Sequence, residues 1–405
     1  DLVRSRGLGD VYKRQDMYPT ISHLLFDLFN VKIPLPIQTF GFWVAMSFIV
    51  AAWLLSKELK RKEEEGKIHS TIKREFIGQK LKNSEILSSL ITGFLLGFKG
   101  IEAVFYYSEL VSNPQEFILS SRGSMLGGIL IAAISIYLKW KENKKTQLDK
   151  PKEIEKTIHP YELVGNITMI AALSGIIGAK LFHNLENLDQ FMADPIGQLL
   201  SFSGLTFYGG LIVGAISVIW YARKYKINIL HLIDATAPSL MIAYGIGRIG
   251  CQMSGDGDWG IDNLAPKPEW MSFLPDWMWS YNFPHNVIRE GVPMENCGDP
   301  FWHPYCYELA NPVWPTAFYE VIMATLIFSF LWSIRKRITI PGALFCVYLI
   351  FNGIERFSIE KIRINNEYNL MGGITQAEII SSCLIIFGFL GFYVLWRRSL
   401  SKKSI

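Results

Sequence analysis

Cysteine and histidine are scarce in this chain. Five cysteines and seven histidines occur in 405 residues, and none of them falls in a CxxC or Cys/His spacing that would mark a metal site. No GxSxG, Walker or GxGxxG element occurs, so nucleotide chemistry has no support. Charged residues make up 19% of the chain against 50% apolar. The net charge of +4 carries little meaning as a total. Basic clusters sit beside apolar runs and read as topology signals, which argues against a nucleic-acid partner.

What is present is a series of apolar runs of about 18 to 22 residues, enough to span a bilayer core as helices. They fall near 38–56, 86–107, 124–139, 162–184, 205–223, 232–252, 316–334, 341–359 and 374–396. Only helices or closed barrels satisfy the backbone in lipid. The expected fold is therefore an all-α integral membrane protein, a single bundle of about nine transmembrane helices over 17–400.

Charge sets the expected orientation. Lys57, Lys60, Arg61 and Lys62 follow the first run, Lys139, Lys141, Lys144 and Lys145 the third, and Arg223, Lys224 and Lys226 the fifth. Arg335, Lys336 and Arg337 follow the seventh, and Arg397, Arg398, Lys402 and Lys403 the ninth. The alternate connections lack this basic excess. The positive-inside rule then puts the C-terminus in the cytoplasm and the N-terminus and the loop 253–315 outside. That loop holds six tryptophans, as befits a membrane–water interface. It also holds Cys297 and Cys306, a plausible disulfide if the compartment is oxidising. Cys251, Cys346 and Cys383 are expected to be free and buried. Residues 1–16 lack an apolar region and read as a non-native extension.

An internal repeat is visible. Gly127-Gly128 through Ser135 parallels Gly209-Gly210 through Ser217. Each copy follows a GxxG helix, Gly97/Gly100 and Gly175/Gly178, and an Asn-Pro or Asp-Pro turn. This makes 86–139 an expected duplicated or inserted helix pair; convergence of Gly-rich helices is the alternative.

Ionisable residues at bilayer depth are expensive and are functional candidates by default. The densest group runs from Gly245 to Gly260, with Gly247, Arg248, Gly250, Cys251, Asp256 and Asp258. The guanidinium of Arg248 can hold a phosphate through two parallel bonds; a snorkelling arginine is the bland reading. In the group from Asn352 to Arg363, Arg356 and Glu360 share a helix face, as a phosphate site or a structural ion pair. Tyr208 precedes Gly209-Gly210 and is either an interface anchor or a proton carrier that needs a nearby cation. Glu320, one turn into an apolar run begun by Pro315, requires a cationic partner, with Arg248 and Arg356 the candidates. Lys99, Glu102, Lys180 and His183 are candidate pairs within the repeated unit.

These motifs, in this order, resemble the prolipoprotein diacylglyceryl transferase family. Gly247-Arg248-Ile249-Gly250 with Gly260 resembles its signature, and Tyr208-Gly209-Gly210-Leu211 its His-Gly-Gly-Leu. Pro315 to Glu320 is similar to its His-Pro-(Ser/Thr)-Gln-Leu-Tyr-Glu, and Arg356/Glu360 to its Arg-x-x-x-Glu. Gly178-Ala-Lys-Leu-Phe182 and Thr39-Phe40-Gly41 resemble two further elements. The chain departs from the pattern where Tyr208 replaces a histidine and Cys251 an asparagine, and the count of nine exceeds the family's usual seven spans.

The resemblance implies transfer of diacylglyceryl from phosphatidylglycerol to the lipobox cysteine of a prolipoprotein, without a cofactor or metal, in the bacterial inner membrane. It implies catalytic roles for Arg248, Arg356, Tyr208 and Glu360. It implies lipid binding by Arg248, Arg356, Gly209, Gly210, Gly247, Gly250, Glu320, Asp256 and Asp258. Two other classes stay open: a non-catalytic lipid- or lipoprotein-binding homologue, and a transporter.

Overall fold

Each apolar run forms a long helix. The computed structural model describes residues 17–201, 204, 206–295, 297, 299–365, 367–368 and 373–403; the suspected extension 1–16 and Ser203 lie outside these. In chain order the first half holds α1 (Ile21–Phe29), α2 (Thr39–Glu64), α3 (Asn83–Phe105), α4 (Tyr107–Ser112), α5 (Pro114–Leu119) and α6 (Met125–Thr146). Then come α7 (Val164–Glu186), α8 (Leu188–Ala193), α9 (Pro195–Leu200), α10 (Phe207–Lys224), α11 (Ile229–Ser254), α12 (Thr316–Ile334), α13 (Ala343–Glu360) and α14 (Gln376–Lys403). Among the described residues, the long helices α2, α3, α6, α7, α10, α11, α12, α13 and α14 fall on the nine apolar runs. Six stretches are long and apolar enough by themselves to cross a bilayer: α2, α3, α7 with the turn before it, α11, α12 and α14. Their outer faces carry bare large apolar groups, such as Trp53, Leu96, Ile177 and Phe387, as a lipid-facing surface requires. The chain is a mostly helical, multi-pass membrane protein.

The helices fall into two compact units, residues 60–228 and residues 1–59 with 229–405. The first is built twice from one plan. A strand, a long helix, two short helices and a second long helix occur as β1 (Thr71–Ile77) with α3–α6, and again as β2 (Lys152–Ile158) with α7–α10. The second short helix of each copy is capped by Asn113 or Asp194, whose side chains accept from Glu116 N and Gly197 N. Their backbones agree closely, φ −145°, ψ 80° against φ −146°, ψ 79°. Lys99 bonds Ser120 Oγ at 3.0 Å, and Lys180 bonds Ser201 Oγ at 2.7 Å, the same spacing in each copy. Lys99 also donates to the carbonyls of Phe117, Ser120 and Arg122 at 2.6–2.8 Å. It ties off the end of a short helix, where carbonyls lack partners, rather than pairing with Glu102, which faces Arg122 at 3.5 Å.

The helices within each copy pack through glycine. A Cβ at Gly97 would meet the Gly127 carbonyl, and one at Gly178 the Gly209 carbonyl. The equivalent residues are thus Gly97 and Gly178. The GxxG steps, which suggest Gly97 with Gly175, are out of register, because contact with the facing backbone and not position within the step defines the match. The strands pair antiparallel with Arg74 opposite Glu155, Thr71 opposite Ile158 and Ile77 opposite Lys152. The first residue of each strand meets the last of the other, the pattern of an approximate twofold between the copies.

The second unit pairs α11 with α12 and α13 with α14. Asp234 in α11 is buried and accepts the amide protons of Gly342 at 2.8 Å and Phe345 at 3.0 Å, occupying the N-terminus of α13 where free N–H groups favour a negative charge. At the far end of α12, Arg335 pairs with the fully buried Glu58 of α2 at 3.2 Å. Pro238 sits inside α11.

The loop after α11 is folded. Met17, Trp259, Tyr281, Phe283, Leu309 and Val313 form its own core. His23 of α1 stacks between Phe301 and Trp302, with ring centroids at 4.7 and 4.8 Å. Burial holds its imidazole down at about 4. Short strands β3 (Val292–Pro293) and β4 (Tyr307–Glu308) pair antiparallel, and Cys297 and Cys306 are joined in a disulfide with Cα atoms 5.4 Å apart. Cys251 and Cys346 are free and buried as expected. Cys383 is free but exposed, since its position on α14 faces away from α13.

Candidate active site

The polar centre lies at the end of α11 and is assembled by backbone stitching. Ile261 N donates to Ile362 O at 2.9 Å, and Gly260 N to Trp314 O at 2.9 Å. The segment leaving α11 is thereby fastened both to the start of α12 and to the residues following α13. A Cβ at Gly260 would strike the Ile362 carbonyl, so only glycine permits this approach. Thr316, at the start of α12, donates to the Asp258 carbonyl at 2.8 Å. The result is that charges from three helices meet.

Glu320, with no side-chain exposure, is the hub. Arg248 Nε lies 3.1 Å from one of its oxygens. Arg356 Nη1 and Arg363 Nη1 lie 3.4 and 3.5 Å from the other, which also accepts from Tyr244 Oη at 2.7 Å. The expected partner for this carboxylate is therefore not one arginine but three. Asp258 bridges Arg248 and Arg363, one oxygen to each. Arg356 pairs with Glu360 at 2.9 Å, and Asn365 donates to the other Glu360 oxygen at 2.7 Å. Glu355 is buried beneath, within 3.4 Å of Tyr244 Oη. Such burial is tolerated because carboxylates and guanidiniums compensate one another; removing one member would strand the rest.

The remaining expected residues divide. Asp256 reaches the same centre: its carboxylate, that of Asp258 and the Cys251 sulphur lie mutually within 4.8 Å. Burial pushes the Asp256 carboxyl above its ordinary range. Gly250 is where α11 meets α2, 3.0 Å from Trp43 Cβ for an added Cβ, while Gly247 faces open space. Tyr208, Gly209 and Gly210 belong to the other unit, at the start of α10, with Gly209 packed on Phe182 and Gly210 on Gly175.

Tyr244 escapes the sequence reading, and Arg363 enters it only as the last charge of its group. Arg363 lies past the end of α13, in a bridge to Gly260. Its charge stands in the sequence, but its return to the centre depends on the turn after Glu360. Tyr244 lies four residues before Arg248 and stacks on it, the guanidinium carbon 5.1 Å from the ring centre. A tyrosine one turn away from an intramembrane arginine carries no signal by itself.

Chemically, the centre is a set of fixed guanidiniums whose fork geometry suits phosphate or carboxylate oxygens. Asp258 demonstrates the spacing: Arg248 and Arg363 together hold a two-oxygen anion.

The sequence model of the family described as prolipoprotein diacylglyceryl transferase matches residues 145–394, more than half of the chain. Among curated proteins, the phosphatidylglycerol–prolipoprotein diacylglyceryl transferase of Dehalococcoides mccartyi is 28% identical over 246 residues, covering 60% of this chain and 80% of that protein. The protein of the same name from Leptospira interrogans is 25% identical over 299 residues, 61% and 85% of the two chains. That from Corynebacterium glutamicum is 26% identical over 239 residues, 58% and 70%. The family match takes in the second copy of the repeated plan and begins only as the first copy ends. The chain belongs to the prolipoprotein diacylglyceryl transferase family.

Proposed function

We propose that the chain transfers the diacylglyceryl group of phosphatidylglycerol to the cysteine thiol of a prolipoprotein, forming a thioether. The observation that carries this reading is the group of three arginines around Glu320 and Asp258 at the end of α11, in a chain of this family. The glycerol phosphate that leaves gains negative charge as its bond to carbon breaks. Arg248, Arg356 and Arg363 stabilise that charge, and their fixed positions mean little reorganisation is needed during reaction. Lipid phosphate competes with Asp258 for the Arg248–Arg363 pair. Glu320, Glu360 and Tyr244 position the guanidiniums. Gly247 and Gly250 allow close approach to lipid and to α2.

The orientation follows the basic connections: N-terminus and loop 253–315 outside, C-terminus cytoplasmic, nine crossings, in a bacterial inner membrane. The pair 86–139 is a tandem copy of the pair that contains Tyr208, added to the seven-span core. The position of the centre beside the folded outer loop fits a substrate whose thiol arrives from the outer side. Tyr208 in place of the family's histidine favours, as a second reading, a homologue that binds the lipid without turning it over.

The deciding experiment uses the full chain in phosphatidylglycerol vesicles with a lipobox peptide. Catalysis yields one glycerol phosphate per thioether formed. Lipid binding without either product supports the second reading.

A further inference from the structure

The transfer reaction consumes a thiol, and a thiol attacks carbon only poorly until its proton is gone. Two aspartates, Asp256 and Asp258, stand at the centre, and the structure separates their capacities. Asp258 is spent as a counter-ion, with one oxygen on Arg248 and the other on Arg363, so its charge is fully engaged. Asp256 makes neither bond. Its carboxylate accepts the Asp258 amide, at 3.3 Å, and hydrogen-bonds the Cys251 thiol. It stands between two residues of positive φ, Gly255 at 62° and Gly257 at 96°, which turn the chain back over the end of α11. There it faces a thiol already: the Cys251 sulphur lies within 4.8 Å and also 3.7 Å from Arg248 Nη1. The chain's own sulphur thus marks a place where a thiol, a carboxylate and a phosphate-binding guanidinium meet.

We propose that Asp256 is the general base that takes the proton from the acceptor cysteine. This rests on the transferase reading above. The S–H proton passes to the Asp256 carboxylate as the sulphur bonds to the terminal glycerol carbon of the lipid. The bond from that carbon to the phosphate oxygen breaks, and glycerol phosphate departs with the electron pair, held by Arg248 and Arg363. The proton on Asp256 is then released to the phosphate or to water.

The charged groups facing Asp256 are Arg248 on α11, Asp258 two residues on, and Arg363 beyond α13, together with the Cys251 thiol. Burial outweighs the two cations and keeps the carboxyl above the usual range, which improves a base. The carboxylate is the active form, so activity is present at pH above that raised value and is lost as pH falls through it.

The test compares two lipobox peptides, one with cysteine and one with selenocysteine, using the full chain in phosphatidylglycerol vesicles. A selenol is largely ionised at neutral pH and needs no base. Asp256→Asn is expected to slow transfer to cysteine by about 100- to 10,000-fold, the usual contribution of a general base. Transfer to selenocysteine should fall by less than about tenfold on the same reasoning. Asp258→Asn should affect both peptides alike. Full activity of Asp256→Asn on cysteine, or equal loss on both peptides, overturns the assignment. If the unaltered chain modifies neither peptide, it is the transferase reading itself that fails.

Discussion

At the scale of single residues, transfer is expected to depend on guanidiniums held ready for a phosphate. Arg248→Ala and Arg356→Ala should each lower transfer by roughly 30- to 1,000-fold, about 2–4 kcal/mol of lost transition-state stabilisation. Lysine should restore only part of it, since it lacks the two-pronged geometry. Arg122→Ala is the control. Arg122 pairs with Glu109 at 2.7 Å and Glu102 at 3.5 Å in the first copy of the repeat, and its loss should leave the rate intact. The check is initial rate per unit of membrane-inserted protein; normal rates for well-inserted Arg248→Ala or Arg356→Ala would contradict the role. The sequence made Arg248, Arg356 and Glu320 legible because a charge inside an apolar run stands out. It could not say that Glu320 serves three arginines at once, because convergence of α11, α12 and α13 depends on the Gly260–Ile362 stitch. Nor could it rank Asp256 against Asp258, which differ by a turn of the backbone.

At the scale of elements, apolar length located the nine long helices, since nothing else in the chain competes with a run of that length. The Gly-Gly pairs suggested a repeat but not the register of its helix contacts: these fall at Gly97 and Gly178, whereas the sequence offers two glycines in each step. The paired strands β1 and β2 were missed. Their residues, such as Lys73, Arg74, Glu153 and Glu155, are charged and exposed, and lack the alternation that marks a half-buried strand. The six-tryptophan loop read as an interfacial feature, and its core emerges only when Met17 and α1 are brought to it. Helix polarity leads to an element-level prediction. Reporter fusions after Lys62, Lys145, Arg223 and Arg337 should register as cytoplasmic, and fusions within 262–312 as external, because each basic cluster resists translocation. A cytoplasmic signal from 262–312 would put the arginine centre on the wrong side of the membrane for a secreted substrate.

At the scale of the whole molecule, the chain combines a unit carrying the arginine centre with a unit built twice from one plan. The first copy of that plan lies outside the family match, so the transferase chemistry is expected from the remainder. The ion pairs of the arginine–carboxylate network use neither Tyr208 nor Cys251, although the Cys251 sulphur lies against Arg248. The most direct test of the central claim is made in a bacterium depleted of its own transferase and supplied with this chain. The mass of a lipoprotein's N-terminal peptide is then measured. Viable cells are expected, with a peptide heavier by one diacylglyceryl group on its cysteine, a modification lost when Arg248 is replaced by alanine. An unmodified cysteine, with the chain present and inserted in the membrane, would contradict the transferase reading.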